Sequence, residues 1–325
     1  MNIKIRAVLA ALAALVIALT IAACGDDEES GGGGTSASGG GSEIKSNPAN
    51  NGKKVTVGSK NFPEQYILGN IYAEALKAAG YDVKKELNVG SEVVAFKALK
   101  QGEIDAYPEY TGTALTSFYK VKVTDVPKDQ QEAFDEVKQK LAGDKITAMP
   151  TTPFENTYRL GMTKKTAGTV GNPTTISALK GKSQKLSISG YPECRQRPDC
   201  LLGVEKTYGL KFKKFVANQE PYQVLDTGAA DVAFVFSTDG QLATDKYQVL
   251  DDDKHLFPPY NITFMVRNDV LKKLGPDAQK VIEQVQKPLT EEVMQELNQR
   301  VVLDKQKPDD VAKDYLQEAG FLPKS

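Results

Sequence analysis

The stretch "ALKQGEIDAYPEYTGT" (residues 98–113) has a counterpart later in the chain, "QVLDTGAADVAFVFSTDG" (223–240). Both run from an apolar helical end through a glycine, two residues and an aspartate into a strand. Both place an aromatic five residues after that aspartate, Tyr110 after Asp105 and Phe236 after Asp231. G-x-x-D is a common joint between helix and strand, so the glycine and aspartate alone say little. The repeated aromatic says more. The echo points to two similar lobes, each presenting an aromatic at the carboxyl end of a strand, where ligands sit in open α/β sheets. Two such lobes facing one cleft is the layout of a hinged binding protein.

The flanking spacing agrees. "KVTVGS" (54–59) alternates as a strand, and "FPEQYILGNIYAEALKAAG" (62–80) carries Pro63 and Glu64 in a first turn with apolar residues at helical spacing. "DVKKELNV" (82–89) predicts a strand, "EVVAFKALKQG" (92–102) a helix, and "EIDAYPEY" a strand running into a loop. The pattern restarts with strands at "YRLGMT" (158–163), "KLSIS" (185–189), "KKFVA" (213–217) and "ADVAFVF" (230–236). Short helices fall at 175–181, 200–209 and 221–228 between them, and three more close the chain. Strands alternating with helices predict an α/β fold with largely parallel sheets.

The chain starts with Lys4 and Arg6, followed by an uncharged apolar run from Ala7 to Ala23 that ends in "IAAC". This is the pattern of a secretion signal, and small residues leading into Cys24 resemble the lipobox of bacterial lipoproteins. "SGGGGTSASGGGS" (30–42) can bury nothing and predicts a flexible tether. Removing residues 1–23 takes away Lys4 and Arg6 and no acid, which leaves 39 basic against 42 acidic side chains. That balance offers no basic patch for nucleic acid. Besides Cys24 there are only Cys194 and Cys200, and in an exported protein such a pair predicts a disulfide closing a short loop. The chain thus divides into a signal peptide (1–23), a lipid-anchored flexible linker (24–52), a first lobe (53–154 with 259–325) and a second lobe (155–258).

Little in the sequence suggests catalysis. His255, the single histidine, stands in a charged "DDDKHLFPPY", and no metal-ligand spacing occurs, so neither metal nor cofactor is expected. "SALK" (177–180) matches the Ser-x-x-Lys of penicillin-interacting enzymes through Ser177 and Lys180, but lacks its S-D-N and K-T-G partners. Binding reads better. Tyr110, Tyr158, Phe236 and Tyr260 stand at strand ends and lobe junctions, and such rings attract a quaternary ammonium through their faces, about 1–2 kcal/mol each. Within "DAYPEYTGTAL", Tyr107 should pack into the sheet, Pro108 should end the ladder, and Tyr110 should turn to the ligand. Two places could hold an anionic end: Ser59 and Lys60 before a helix start, and Arg195 and Arg197 in the cysteine loop. Together they suggest a zwitterion with a methylated nitrogen.

"VGSKNFPEQYILGNIYAEAL", "LKQGEIDAYPEYTGTAL", "RPDCLLGVEKTYGLKF" and "FPPYN" resemble the glycine betaine/carnitine/choline-binding proteins of osmoprotectant ATP-binding-cassette importers, from about Val55 to Gly320. The resemblance implies a two-lobed type II periplasmic-binding-protein fold. It also implies an extracytoplasmic receptor, lipid-anchored in Gram-positive members, that hands its ligand to a membrane permease driven by an ATPase. Carried over by position, Tyr110, Tyr158 and Tyr260 match cage tyrosines, and Thr113, Lys60 and Arg197 match carboxylate-binding positions. Asn156 falls where some members have an aspartate near the cation. Phe236 stands where the fourth tyrosine would, and Cys194 and Cys200 replace ordinary residues of the family's loop. Open alternatives keep the fold but change the ligand, to an amino acid or a larger trimethylammonium betaine such as ergothioneine. A more distant one is a secreted enzyme using Ser177 and Lys180.

Overall fold

The computed structural model describes residues 42–324, apart from Gln219 and the Glu193 side chain. The expected signal segment, Cys24 and most of the expected linker lie outside the described residues. The first part of the chain runs β1 (Lys54–Lys60), α1 (Pro63–Ala78), β2 (Asp82–Gly90), α2 (Glu92–Gln101), β3 (Ala106–Tyr110), α3 (Gln130–Gly143) and β4 (Ile146–Ala148). The middle runs β5 (Tyr158–Thr163), α4 (Lys164–Thr169), β6 (Ser187–Gly190), α5 (Leu201–Tyr208), β7 (Lys214–Ala217), α6 (Pro221–Asp226), β8 (Val232–Phe236) and β9 (Tyr247–Leu250). Then come β10 (Ile262–Arg267), α7 (Asn268–Leu274), α8 (Pro276–Gln286), α9 (Glu291–Val302) and α10 (Pro308–Glu318).

These strands form two sheets of matching order, β2-β1-β3-β10-β4 and β7-β6-β8-β5-β9. Each holds a parallel trio extended by one strand of opposite sense. β10 runs antiparallel to β3 and β4, and β5 runs antiparallel to β8 and β9. The sheets are therefore mixed rather than largely parallel, because in each the chain arriving from the other lobe enters against the trio. The two crossings lie side by side. Glu155 bridges Asn261, the Asn156 N–H donates to the Tyr260 carbonyl at 3.1 Å, and Thr157 Oγ1 donates to the Pro258 carbonyl at 3.0 Å.

The sequence echo is a repeated hydrogen-bond joint. Asp105 donates its N–H to the Thr56 carbonyl and accepts the Thr56 N–H on Oδ2, both at 2.8 Å. Asp231 does the same with Ser187, at 3.1 and 2.7 Å. Each aspartate thereby locks the third strand of its trio to the first and sets which residue ends that strand.

Pro108 does not end the ladder: it lies inside β3, opposite Phe264 of β10. Asp105 and Thr111 bond across to β10 through Arg267 and Asn261, so odd positions face that neighbour. The Pro108 nitrogen points to the other side, where β1 pairs with β3 only at Ala106. No ladder bond is lost, which is where a strand tolerates proline.

Helix α1 buries Ile67, Leu68, Ile71, Tyr72, Ala75 and Leu76 along one face. They join one core with Phe264 of β10 and with Val311, Ala312, Tyr315 and Leu316 of α10. Truncating such a residue as Leu68 to alanine should cost about 2–5 kcal/mol. The second lobe has its own core around Leu160, Ile188, Val204 and Phe234, which includes both cysteines. At the junction Gly240 lies so close to α9 that an added Cβ would fall 2.5 Å from the Gln299 nitrogen.

Candidate ligand-binding site

The carboxyl ends of β3 and β8 open on one cavity of about 690 Å³, a size usual for small-molecule sites. Tyr110, Tyr158, Phe236 and Tyr260 all line it, as do Thr113, Lys60, Asn156 and Arg197. The fold brings together all eight residues that the sequence singles out for ligand contact. What they do there differs from residue to residue.

Tyr110 ends β3 and is 4 % exposed. Its ring stacks beside Phe62 with centroids 6.2 Å apart, and its hydroxyl donates to Glu64 Oε1 at 2.7 Å. Burial, with Glu64 beside it, holds the phenol well above its ordinary pKa, so it remains the donor. Tyr107 is fully buried, donates to Glu109 Oε2 at 3.0 Å and packs away from the cavity.

Lys60 corrects the expectation of a free cation awaiting a ligand carboxylate. Its ammonium forms a buried ion pair with Glu109 and lies 4.4 Å from the Tyr110 ring centroid. A buried charge needs a counter-charge, and β3 supplies one. The start of α1, expected to seat an anion, instead carries Glu64 in its first turn, facing the cavity. The positive end of the helix dipole is thus met by the protein's own carboxylate.

In the second lobe Tyr158 and Phe236 are partners in the β5–β8 register and stack at 4.8 Å with planes 22° apart. Phe234 meets Tyr158 edge-on at 6.0 Å and Phe257 lies tilted at the same distance, so the pair is backed by further rings. The Arg197 guanidinium stands 5.9 Å from the Tyr158 ring. It bonds Asp199 through both Nε, at 2.8 Å, and Nη2. The buried Asp199 carboxylate raises the arginine's pKa and keeps it charged. Cys194 and Cys200 are joined in a disulfide with Cα atoms 5.1 Å apart, both buried in the second core, so the loop bearing Arg197 is tied at its base. Arg195 lies outside the cavity, over the Phe215 ring.

Tyr260 comes from the second crossing and rests against the turn that holds Thr113. A Cβ on Gly112 would lie 2.7 Å from Tyr260 Cε1 and 2.8 Å from the Pro259 carbonyl, so only glycine lets that ring lie there. Asn156 donates to Glu64 Oε1 at 3.0 Å, and its own buried Oδ1 has no partner among the described residues.

Sequence reasoning missed Glu64, Asp239, Asn298 and Phe62 as cavity residues. Glu64 collects Tyr110, Asn156 and, on Oε2 at 2.9 Å, Asn298 of α9. Asn298 also donates to the Thr238 carbonyl at 2.8 Å, and its buried Oδ1 has no partner among the described residues. Asp239 follows β8 and accepts from the Phe236 N–H at 2.9 Å and the Tyr222 hydroxyl at 2.8 Å. The lining holds the carboxylates Glu64, Glu92, Glu220 and Asp239 against Lys60 and Arg197, both already ion-paired. Its field therefore favours a cation. Ser177 and Lys180 do not line this cavity, and the Ser177 N–H is turned to Asp253 at 3.1 Å.

Residues 53–318 match the family described as the substrate binding domain of ABC-type glycine betaine transport system, and the chain belongs to that family. It is 31 % identical over 278 residues to a glycine-betaine-binding protein of Pseudomonas aeruginosa, spanning 82 % of this chain and 88 % of that one. It is 30 % identical over 273 residues to an ergothioneine transport permease/ergothioneine binding protein of Helicobacter pylori, spanning 83 % of this chain. The match covers 48 % of the Helicobacter protein, so the chain spans about half that relative's length. Among solved structures, a glycine betaine/carnitine/choline ABC transporter protein superposes with a TM-score of 0.76 at 27 % identity, over 81 % of this chain and 98 % of that one. Apo YehZ from Escherichia coli superposes with 0.73 at 28 % identity, over 82 % and 99 %. The α/β architecture is that of the two-lobed periplasmic binding proteins.

Proposed function

We propose that the chain is an extracytoplasmic receptor for a quaternary-ammonium compatible solute of the glycine betaine, choline or carnitine type, which it delivers to an ABC permease. The observation that carries this reading is the convergence of four aromatic side chains on a cavity whose carboxylates outnumber its cations. A methylated ammonium has no N–H to give a carboxylate, so ring faces and a negative field are what can hold it. Tyr158, Phe236, Tyr260 and Tyr110 form the cage in this reading, and Arg197 with Thr113 meets the anionic end of a zwitterion. The lobes, 53–154 with 259–325 and 155–258, close on the ligand about the paired crossings. Anchorage through a lipid on Cys24 belongs to the same proposal and rests on the sequence. Calorimetric titration with glycine betaine, choline and carnitine, against glycine as the unmethylated control, tests it. At least one methylated ligand should bind and glycine should not; binding of glycine alone would refute the reading.

A further inference from the structure

The cavity is larger than a cage for one trimethylammonium group requires, and among the described residues it holds acceptor oxygens that no protein donor fills. Asp239 stands there beside Tyr191, Tyr222 and Gln241. Both protein donors reach the same oxygen of this carboxylate: the Phe236 N–H at 2.9 Å and the Tyr222 hydroxyl at 2.8 Å bond Oδ2. Among the described residues Oδ1 has no hydrogen-bond donor, and the half-buried side chain lines the cavity, so this oxygen is open to it. A second acceptor nearby is both buried and unpartnered. Asn298 is 6 % exposed and lines the cavity, with Nδ2 bonded to Glu64 and to the carbonyl of Thr238, the neighbour of Asp239, and its buried Oδ1 is unpartnered.

The buried Asn298 acceptor carries a desolvation cost that a ligand donor would relieve, and the open Asp239 Oδ1 beside it can accept from the same ligand. The methylated nitrogen cannot be that donor. Resting on the cage reading above, we infer that Asp239 is a specificity-determining residue whose Oδ1 accepts a hydrogen bond from a second, donor-bearing part of the ligand. The preferred ligands would then be methylated ammonium compounds with an O–H or ring N–H beyond the nitrogen, in preference to glycine betaine, which has neither.

The asymmetry of the two oxygens makes the residue testable. In Asp239→Asn the Phe236 N–H and the Tyr222 hydroxyl still need an acceptor, so the amide oxygen takes the Oδ2 position and the NH₂ group faces the cavity. The substitution turns an acceptor into a donor while keeping the shape. The groups around Asp239 are Glu64 from α1, Glu220 and Tyr222 at the start of α6, Tyr191 after β6 and Asn298 from α9. Burial, with Glu64 adding to it, pushes the Asp239 carboxyl up to about 6. The acceptor is therefore present at neutral pH and lost below it.

The experiment titrates glycine betaine, carnitine and ergothioneine into the wild type and Asp239→Asn, with the melting temperature of each protein recorded without ligand. The readout is the ratio of dissociation constants between glycine betaine and each donor ligand, because all three are zwitterions and a simple loss of charge would weaken them alike. In the wild type at pH 7.5 at least one donor ligand should bind about tenfold tighter than glycine betaine, the value of a hydrogen bond to a charged group. Carnitine would identify an O–H ligand and ergothioneine an N–H ligand. The ratio should collapse towards one in Asp239→Asn, and in the wild type at pH 5, an arm that holds even if the variant does not fold. An unchanged ratio under both conditions overturns the inference while leaving the cage reading intact. Failure of every methylated ligand to bind overturns both.

Discussion

The Tyr110 hydroxyl donates to Glu64 Oε1 at 2.7 Å, joining the ring at the end of β3 to the carboxylate at the start of α1. The same oxygen accepts Asn156, and the other accepts Asn298, so Glu64 ties both walls of the cleft and α9 to one point. A cation needs only the face of the ring, so the hydroxyl has a separate role. The structure makes it part of the frame. Tyr110→Phe removes a donor from a buried carboxylate and should weaken ligand binding about tenfold, in line with 1.5–3 kcal/mol for a hydrogen bond to a charged group. Tyr110→Leu, which also loses the ring, should cost more. Dissociation constants and melting temperatures of the two variants check this, and a Phe variant that binds like wild type would show the hydroxyl to be idle.

Gly112 permits the close approach of Tyr260 to the turn after β3. An alanine Cβ there would overlap the ring edge and the Pro259 carbonyl, so the ring must swing away or the turn must shift. Gly112→Ala should lower affinity at least tenfold and reduce stability by about 1–3 kcal/mol, the usual cost of overpacking. Calorimetry and denaturant titration separate the two effects. Unchanged affinity would mean that Tyr260 is not held where ligand meets it.

The Cys194–Cys200 bridge closes a short loop whose tip carries Arg197. In the chain-entropy model such a loop contributes about 2–3 kcal/mol. The double substitution of both cysteines by serine should leave the protein folded but less stable, and should weaken carboxylate-bearing ligands more than choline. Equal affinities for both ligand types before and after would detach the loop from the site.

Glu291, in the first turn of α9, lies 3.9 Å from Arg159 at the junction of the lobes. Burial, reinforced by Glu292, Glu155 and Asp251, pushes its carboxyl up to about 7 against the pull of Arg159. A folded-state pKa above the ordinary 4.5 means the folded state holds the proton more tightly. The stability this lends is present at low pH and is lost as pH rises through about 7. Glu291→Gln should therefore raise the melting temperature at pH 8 and change it little at pH 5. The gain should stay below about 1 kcal/mol, because the side chain is more than a third exposed. A loss of stability at pH 8 would contradict it.

The two-lobed plan was legible because each G-x-x-D joint is a local device with a fixed product. Asp105 and Asp231 each clamp the third strand of a parallel trio to the first, and the aromatic five residues on must end that strand. The antiparallel strand in each sheet was not foreseen: "NITFMVR" was not singled out as a strand, and "YRLGMT" carries no sign of its direction until the crossing that precedes it is placed. Pro108 misled for a related reason: whether a proline breaks a ladder depends on which neighbour its nitrogen faces. The aromatics that line the cavity were legible because their spacing places them at strand ends and lobe junctions. Glu64 and Asp239 were not, because a glutamate in a first turn and an aspartate after a strand are ordinary capping choices. Lys60 showed its type but not its partner, as Glu109 lies far away in sequence and beside it in space.

The central claim is that the rings of this cavity hold a cation by their faces and not a bulky apolar group by its area. Choline and its neutral isostere, in which a quaternary carbon replaces the nitrogen, have the same shape and differ only in charge. Titrating both into the wild-type protein at pH 7.5 measures that difference directly. Choline should bind at least tenfold tighter, since even one desolvated face contributes about 1–2 kcal/mol. Equal affinity for the two would contradict it.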